Sequence, residues 1–304
     1  MIRAETGKAR AVNAVVREAS AAEYFALMKP GLTTMSVCTA AGGAYLGAGG
    51  HPAALLLVNL ILGTFLVGAG AGALNQWIEW RTDALMKRTE QRPIPSGVLT
   101  PLRGFVAGML CAAGGVVWLF RTTTPLAGIL ALVTLAVYLA LYTPLKRVTH
   151  LSTAVGGIPG ALPPVIGWVA VGRGFSLEAY LLFLFLFMWQ MPHFLSLAWM
   201  YRHDYARGGY RLLPEFDASG GVTGRLTLLY CAALTPVALS LSLAGLMGWI
   251  FFGGALIAGG TFVAVAYRFA REITNHNARR VFVTSLIYLS VILALMLIDR
   301  VVLC

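Results

Sequence analysis

Charge is scarce in this sequence. Only 12% of its 304 residues are Asp, Glu, Lys or Arg, and the acids number 12. A soluble domain of this length needs far more polar surface to face water, so the shortage excludes an ordinary soluble enzyme. Cysteine is scarce as well. Cys38, Cys111, Cys231 and Cys304 show no CxxC spacing and lie in or at the end of apolar runs. That excludes a disulfide framework or a zinc site and leaves packing as their role. The first 29 residues hold no apolar run long enough for a signal-peptide core. A nucleotide-binding glycine loop is missing too. Gly68-Ala-Gly70-Ala-Gly72 has the glycines, but no strand precedes it and it falls inside an apolar run. Gly68 and Gly72 instead read as a small-xxx-small pair for close helix packing.

What the chain has in plenty is apolar surface: 58% hydrophobic residues and a mean hydropathy of +0.77. Its repeated apolar runs predict an all-α integral membrane protein of about nine transmembrane helices. The expected spans are 31–49, 53–75, 102–120, 125–143, 153–171, 178–199, 225–246, 248–267 and 281–299. Lys and Arg test the layout. With the N-terminus cytoplasmic, 20 of the 23 fall in segments on that side, and only Arg121, Arg173 and Arg300 fall on the other. One missed or false helix would scramble such a split. The C-terminus is then outside. The net charge of +11 follows from the same rule and calls for no nucleic acid. Residues 1–29 read as a cytoplasmic tail, with 9–28 able to form an amphipathic helix on the membrane. Glu5, Glu18 and Glu23 argue against a mitochondrial presequence. Residues 30–304 form one membrane domain. The fifth span, with Gly156, Gly157, Pro159, Gly160, Pro163 and Pro164, is expected to be kinked.

The polar residues gather on one face. The loops 76–101 and 200–224 hold six of the 12 acids. Where the second span runs out, Asn75, Glu79 and Asp83 follow at i, i+4 and i+8, each about 40° around the helix from the one before, on one stripe. Carboxylates one turn apart repel unless a cation lies between them, and oxygen donors of this kind suit Mg²⁺ together with phosphate oxygens. Lys87, Arg88 and Arg92 come next, as a diphosphate would require. A solvated helix end with ordinary ion pairs is the plainer alternative. Tyr142-Thr-Pro-Leu-Lys146-Arg147 ends the fourth span. Alone it reads as headgroup anchors; beside the first cluster, Lys146 becomes a candidate ligand for a diphosphate oxygen. The third group runs from Gln190 and His193, polar in an apolar helix, to Arg202, His203 and Asp204. His193 could equally be a hydrogen bond to a neighbouring helix, and Asp204 a surface pair with Arg202 or Arg207.

At these motifs the chain resembles the UbiA-type intramembrane prenyltransferases, and among them the branch that acts on haem. The resemblance rests on Tyr24-Phe-Ala-Leu-Met-Lys29-Pro30, the run from Asn75 through Glu79 and Asp83 to Arg92-Pro93, Tyr142-Thr-Pro-Leu-Lys146-Arg147, Pro192-His193-Phe194, and Asp204-Tyr205 with Leu213-Pro214. It implies helices around a central cavity and transfer of a farnesyl group from farnesyl diphosphate to haem B. It further implies Asn75, Glu79, Asp83 and Asp204 as catalytic residues, with Mg²⁺ on Glu79, Asp83 and Asp204. Lys29, Arg88, Arg92, Tyr142, Lys146, Arg202 and His193 would bind substrate, His193 on the haem side with His203 as runner-up. A second motif in this superfamily often holds two aspartates four apart, whereas Gly208 follows Asp204 here. A second ion would have fewer ligands or would borrow Glu215 or Asp217. The bilayer and haem A synthase are the partners implied. Two other readings stay open: a superfamily member acting on a quinone precursor or chlorophyllide, and a transporter of organic anions.

Overall fold

A computed structural model describes residues 19–303, and every regular element among them is helical. The chain is an all-helical, multi-pass membrane protein. The expected helix at 9–28 falls mostly on residues outside this range. Helix α1 (Ala21–Leu27) opens with the Glu23 carboxylate accepting the Ser20 amide at 2.6 Å. Lys29 then turns left-handed, with φ 49°, and Pro30 starts α2 (Pro30–Gly47). Helix α3 (Ala54–Asp83) is 30 residues long. At 1.5 Å per residue it spans about 45 Å, against about 30 Å of hydrocarbon, so its last turns emerge at the polar end of the molecule.

Helices α4 (Pro101–Thr122) and α5 (Pro125–Ala136) each start at Pro behind a Thr cap. A π-helical stretch, Val137–Tyr142, carries α5 into the short α6 (Thr143–Leu145). Then follow α7 (Ser152–Ala170), α8 (Leu177–Met200), α9 (Arg202–Arg207), α10 (Leu213–Phe216), α11 (Gly221–Leu243), α12 (Trp249–Arg271) and α13 (Asn275–Leu303). The stretch Pro125–Leu145 counts as one span. With it, eight helical segments are long and apolar enough to cross a membrane. Segment α2 matches the first expected span but stays below that mark, because Thr33, Thr34, Ser36 and Thr39 dilute it. Helix α7 keeps its helical course through Pro159, Pro163 and Pro164, and most of it is buried.

The helices pack in a repeating order. Contacts run α2–α3–α4–α5, and again α7–α8–α11–α12, with α7 also against α2 and α5 and α13 closing on α8 and α12. Small residues permit the tightest crossings. A Cβ on Gly43 or Gly167 would strike the backbone of the facing helix, Pro164 in one case and Ala40 in the other. The glycines of α3 serve packing as expected: Gly68 faces Thr33, Gly70 the backbone of Ala112, and Gly72 the Met28 carbonyl. Cys38, Cys111 and Cys231 are free thiols.

Candidate active site

Asn75, Glu79 and Asp83 form one stripe at the end of α3, each nearly sealed, at 1%, 3% and 1% exposure. Each is matched by a group from elsewhere in the chain. Lys146 Nζ donates to Glu79 Oε1 at 2.7 Å and to Oε2 at 2.9 Å. Arg92 donates to Asp83 Oδ2 at 2.6 Å. Lys29 donates to Asn75 Oδ1, and Asn75 Nδ2 donates to Glu79 Oε2 at 2.8 Å. Two acids and three cations therefore share one buried network. Removing one member of such a pair costs about 3–5 kcal/mol, because the partner stays buried with its charge uncompensated.

Local structure explains how these groups meet. Gln76 holds the end of α1 by donating to the Leu27 carbonyl at 2.8 Å, and Gly72 leaves room for Met28. The left-handed Lys29 then turns its side chain onto Asn75. Burial pushes the Lys29 amine down to about 7, and the nearby Arg92 charge pushes the same way. On the facing wall, the π-helical stretch keeps Tyr138, Tyr142 and Lys146 on one side of the chain. A π turn takes more residues per revolution than an α turn and offsets the drift of positions four apart. The rings of Tyr138 and Tyr142 lie 5.5 Å apart, and Lys146 Nζ sits 4.6 Å from the Tyr142 centroid.

Thr143 ties this wall to the stripe. Its hydroxyl donates to the Tyr138 carbonyl at 2.8 Å and accepts from Asn75 Nδ2 at 3.3 Å. Tyr210, on the loop after α9, covers Lys146 at 5.5 Å, and the Arg211 amide donates to the Lys146 carbonyl at 2.7 Å. Burial raises the Tyr210 phenol far above its ordinary range, and the Glu79 charge adds to the rise. Thr143 was legible only as part of a motif, and no signal in the sequence marks Tyr210.

Asp204 is placed differently from the expectation. Its carboxylate accepts the backbone amides of Lys87 at 3.2 Å and Arg88 at 3.1 Å and pairs with Arg207. Desolvation pushes its pKa up, but the Arg207 contact and the two amides outweigh that and hold it below the usual carboxylate range. Among the described residues, no three His, Cys, Asp or Glu side chains come together as a metal group. Asp204 fastens the loop after α3 to α9. Arg88 stays beside it, bonded to the Tyr205 hydroxyl at 3.2 Å and stacked over Tyr201 and Tyr205. Arg202 turns away, to the Trp199 carbonyl and Asn275 Oδ1, both at 2.8 Å. Glu215 is exposed, and Asp217 caps α11 through the Thr223 amide at 2.7 Å.

His193 lies apart from the stripe, on α8. Its Nδ1 is 2.8 Å from Ser285 Oγ, and its ring sits between Trp189 and Phe282. Gln190 serves packing: it donates to the Gly157 carbonyl at 2.7 Å, and Gly160 leaves space for its amide oxygen. His51, His203 and His276 are exposed.

The donor set fits a hard cation. Two buried carboxylates and an amide oxygen on one face, with ammonium and guanidinium groups beside them to neutralise a phosphate, are what Mg²⁺ with a diphosphate requires.

The model of the UbiA prenyltransferase family matches residues 36–292. The chain is 46% identical, over 81% of its own length and 84% of the relative's, to the protoheme IX farnesyltransferase of Solibacter usitatus (strain Ellin6076). It is 38% identical, over 91% and 93%, to that of Koribacter versatilis (strain Ellin345). In fold it is similar to a UbiA homologue of Aeropyrum pernix K1, with a TM-score of 0.69 at 20% identity over 88% of this chain and 97% of that one. It also resembles a UbiA homologue of Archaeoglobus fulgidus solved with GPP and Mg²⁺, with a TM-score of 0.55 at 13% identity over 90% and 99%.

Proposed function

This chain belongs to the UbiA prenyltransferase family, and from that premise we propose that it farnesylates protohaem IX, as the names of its relatives indicate for them, and that the acceptor is a vinyl group. Farnesyl diphosphate and water are consumed, and haem O and diphosphate are formed. The observation that carries the proposal is the buried stripe of Asn75, Glu79 and Asp83 with Lys146 and Arg92 already on its carboxylates.

Glu79 and Asp83, with Asn75 beside them, would hold Mg²⁺, which when bound neutralises the diphosphate and favours its departure. As the diphosphate arrives, Lys146 and Arg92 exchange their carboxylates for its oxygens, Lys29 adds charge from within the network, and Arg88 adds it at the rim. These contacts strengthen as the carbon–oxygen bond of the farnesyl diphosphate breaks and its electron pair moves onto the leaving oxygen. The allylic cation then takes the electron pair of the haem vinyl group, forming a carbon–carbon bond. Water adds to the new cation beside the porphyrin and loses a proton, leaving the hydroxyethylfarnesyl side chain. Tyr138 and Tyr142 wall the head of the site against water until that step. His193 is the residue proposed to meet the haem.

Asp204 is assigned to the framework rather than to the metal, and Arg202 falls outside the diphosphate site. The site opens on the cytoplasmic side of a bacterial inner membrane, with nine spans and the N-terminus inside; the one-sided distribution of Lys and Arg supports this. The prenyltransferase domain begins near residue 30, with the tail before it. No surface among the described residues points to haem A synthase, and the proposal stands without that partner. The crowding of charge at helix ends, rather than at mid-helix, weighs against an organic-anion transporter.

The test is turnover of purified protein with haem B, farnesyl diphosphate and Mg²⁺, read by mass spectrometry. A farnesylated haem that disappears with Asp83→Ala or EDTA is the expected result. Farnesylation of a quinone precursor in place of haem would overturn the choice of acceptor and keep the diphosphate site.

A further inference from the structure

The hydrogen bonds around His193 fix where its proton lies. Ser285, on α13, has one hydroxyl hydrogen. Its Oγ lies 2.6 Å from the Phe282 carbonyl, which can only accept, so that hydrogen is spent there. The contact at 2.8 Å between Ser285 Oγ and His193 Nδ1 must then run the other way, with Nδ1–H donating. The neutral imidazole therefore carries its lone pair on Nε2, and Nε2 has no hydrogen-bond partner among the described residues.

The ring is also held in place. Trp189 stacks on it with centroids 5.5 Å apart, and Phe282 lies 4.6 Å away on the other contact. Trp189 is itself pinned, because its indole N–H donates to the Ser285 carbonyl at 2.7 Å. Ser285 thus holds α8 twice, once by its backbone and once by its side chain. His193 is only half-buried, so the ring is not sealed. A histidine with one N–H directed to a fixed acceptor and the other nitrogen bare and accessible has the arrangement of a metal ligand, in which an outer partner sets the tautomer.

We propose that His193 Nε2 is an axial ligand to the iron of the porphyrin acceptor and that Ser285 is the positioning residue that turns this nitrogen toward it. The inference rests on the haem reading above. It adds a link between two helices, α8 and α13, that are far from the diphosphate stripe in sequence. The iron bond would fix how the porphyrin sits, and so which vinyl group meets the farnesyl cation.

The experiment compares full-length wild-type protein, His193→Gln, Ser285→Ala and Ser285→Thr in titrations with haem B and with metal-free protoporphyrin IX. Optical and electron paramagnetic resonance spectra report the iron, and binding of a non-hydrolysable farnesyl thiodiphosphate is the folding control. Wild type should prefer haem over the metal-free porphyrin by about tenfold or more, with the spectrum of an imidazole-ligated iron. His193→Gln should lose both the preference and the spectrum, and added imidazole should restore the spectrum. Ser285→Ala should weaken the preference and mix the spin states, whereas Ser285→Thr should keep both near wild type. Thiodiphosphate binding should be unchanged throughout. A wild-type spectrum in His193→Gln would overturn the ligand, and one in Ser285→Ala would overturn the positioning role; either result leaves the turnover assay free to support haem farnesylation. If wild type neither binds nor farnesylates haem, both readings fail together.

Discussion

Carboxylates at two comparable helix ends are bound in opposite ways. At the end of α3, Glu79 and Asp83 are held by side chains, Lys146 and Arg92. Just past α8, Asp204 is held by backbone amides of residues 87 and 88, with Arg207 in support. A side chain can swing from a carboxylate to a ligand at the expense of a few rotamers. An amide cannot leave without rearranging its loop. The repeated helix order therefore presents one exchangeable site and one latch, and the latch keeps the loop after α3 in place over the site.

Neutralising the exchangeable acids tests the comparison hardest. Asp83→Asn or Glu79→Gln should lower kcat by about 10²–10³, by analogy with the loss of an oriented group that stabilises developing charge. A loss of less than tenfold in both would remove the stripe from the chemistry. Lys146→Gln should also cost about 10² in turnover, yet it should strengthen Mn²⁺ binding measured without diphosphate, because Glu79 loses its competitor. Weaker Mn²⁺ binding would mean that Lys146 supports the metal instead of standing in for it. Asp204→Asn should cost about 1–3 kcal/mol through the loosened latch, seen as faster proteolysis between residues 84 and 100 and a turnover loss of tenfold or less. If it matches Asp83→Asn in kcat, the latch is a second metal arm and the contrast collapses.

Lys29 offers a gentler probe. With its amine pushed down to about 7, it is largely charged below that pH and neutral above it. A charged amine favours an anion, so thiodiphosphate affinity should fall as pH rises through 7 toward 8. Lys29→Met should flatten that fall, and an unchanged profile would assign it to other groups. The smallest effect is expected of Thr143→Val, which keeps the shape but removes the bond to Asn75. A few-fold drop in kcat at unchanged thermal stability would mark Thr143 as a positioning residue.

The helical layout was legible because a membrane span is a length of apolar sequence, and hydropathy measures that directly. The stripe was legible for an equally local reason: helical period alone puts Asn75, Glu79 and Asp83 on one face. The direction of Asp204 was not legible, because it depends on the short α9 meeting amides 116 and 117 residues away in sequence. The contacts of Arg202 were hidden for the same reason; an arginine after a helix end carries no mark of whether it turns to a neighbouring loop or to Asn275. Tyr210 became part of the site only because Gly208 lets its loop pack on Met86. A helix, α2, stands where the first span was expected, and its hydroxyl residues keep it less apolar than the eight segments able to cross a membrane.

The two acids of the stripe find their partners at different moments of synthesis. Arg92 follows Asp83 by nine residues, while Lys146 follows Glu79 by 67. At translation speeds of about 5–20 residues per second, Asp83 waits under two seconds or so, but Glu79 waits about 3–13 s. Through that interval an unpaired carboxylate stands near the end of an inserted helix. The nascent chain must hold α3 with this end in the interface, and α3 can settle to its final depth only once α5 and α6 have been made.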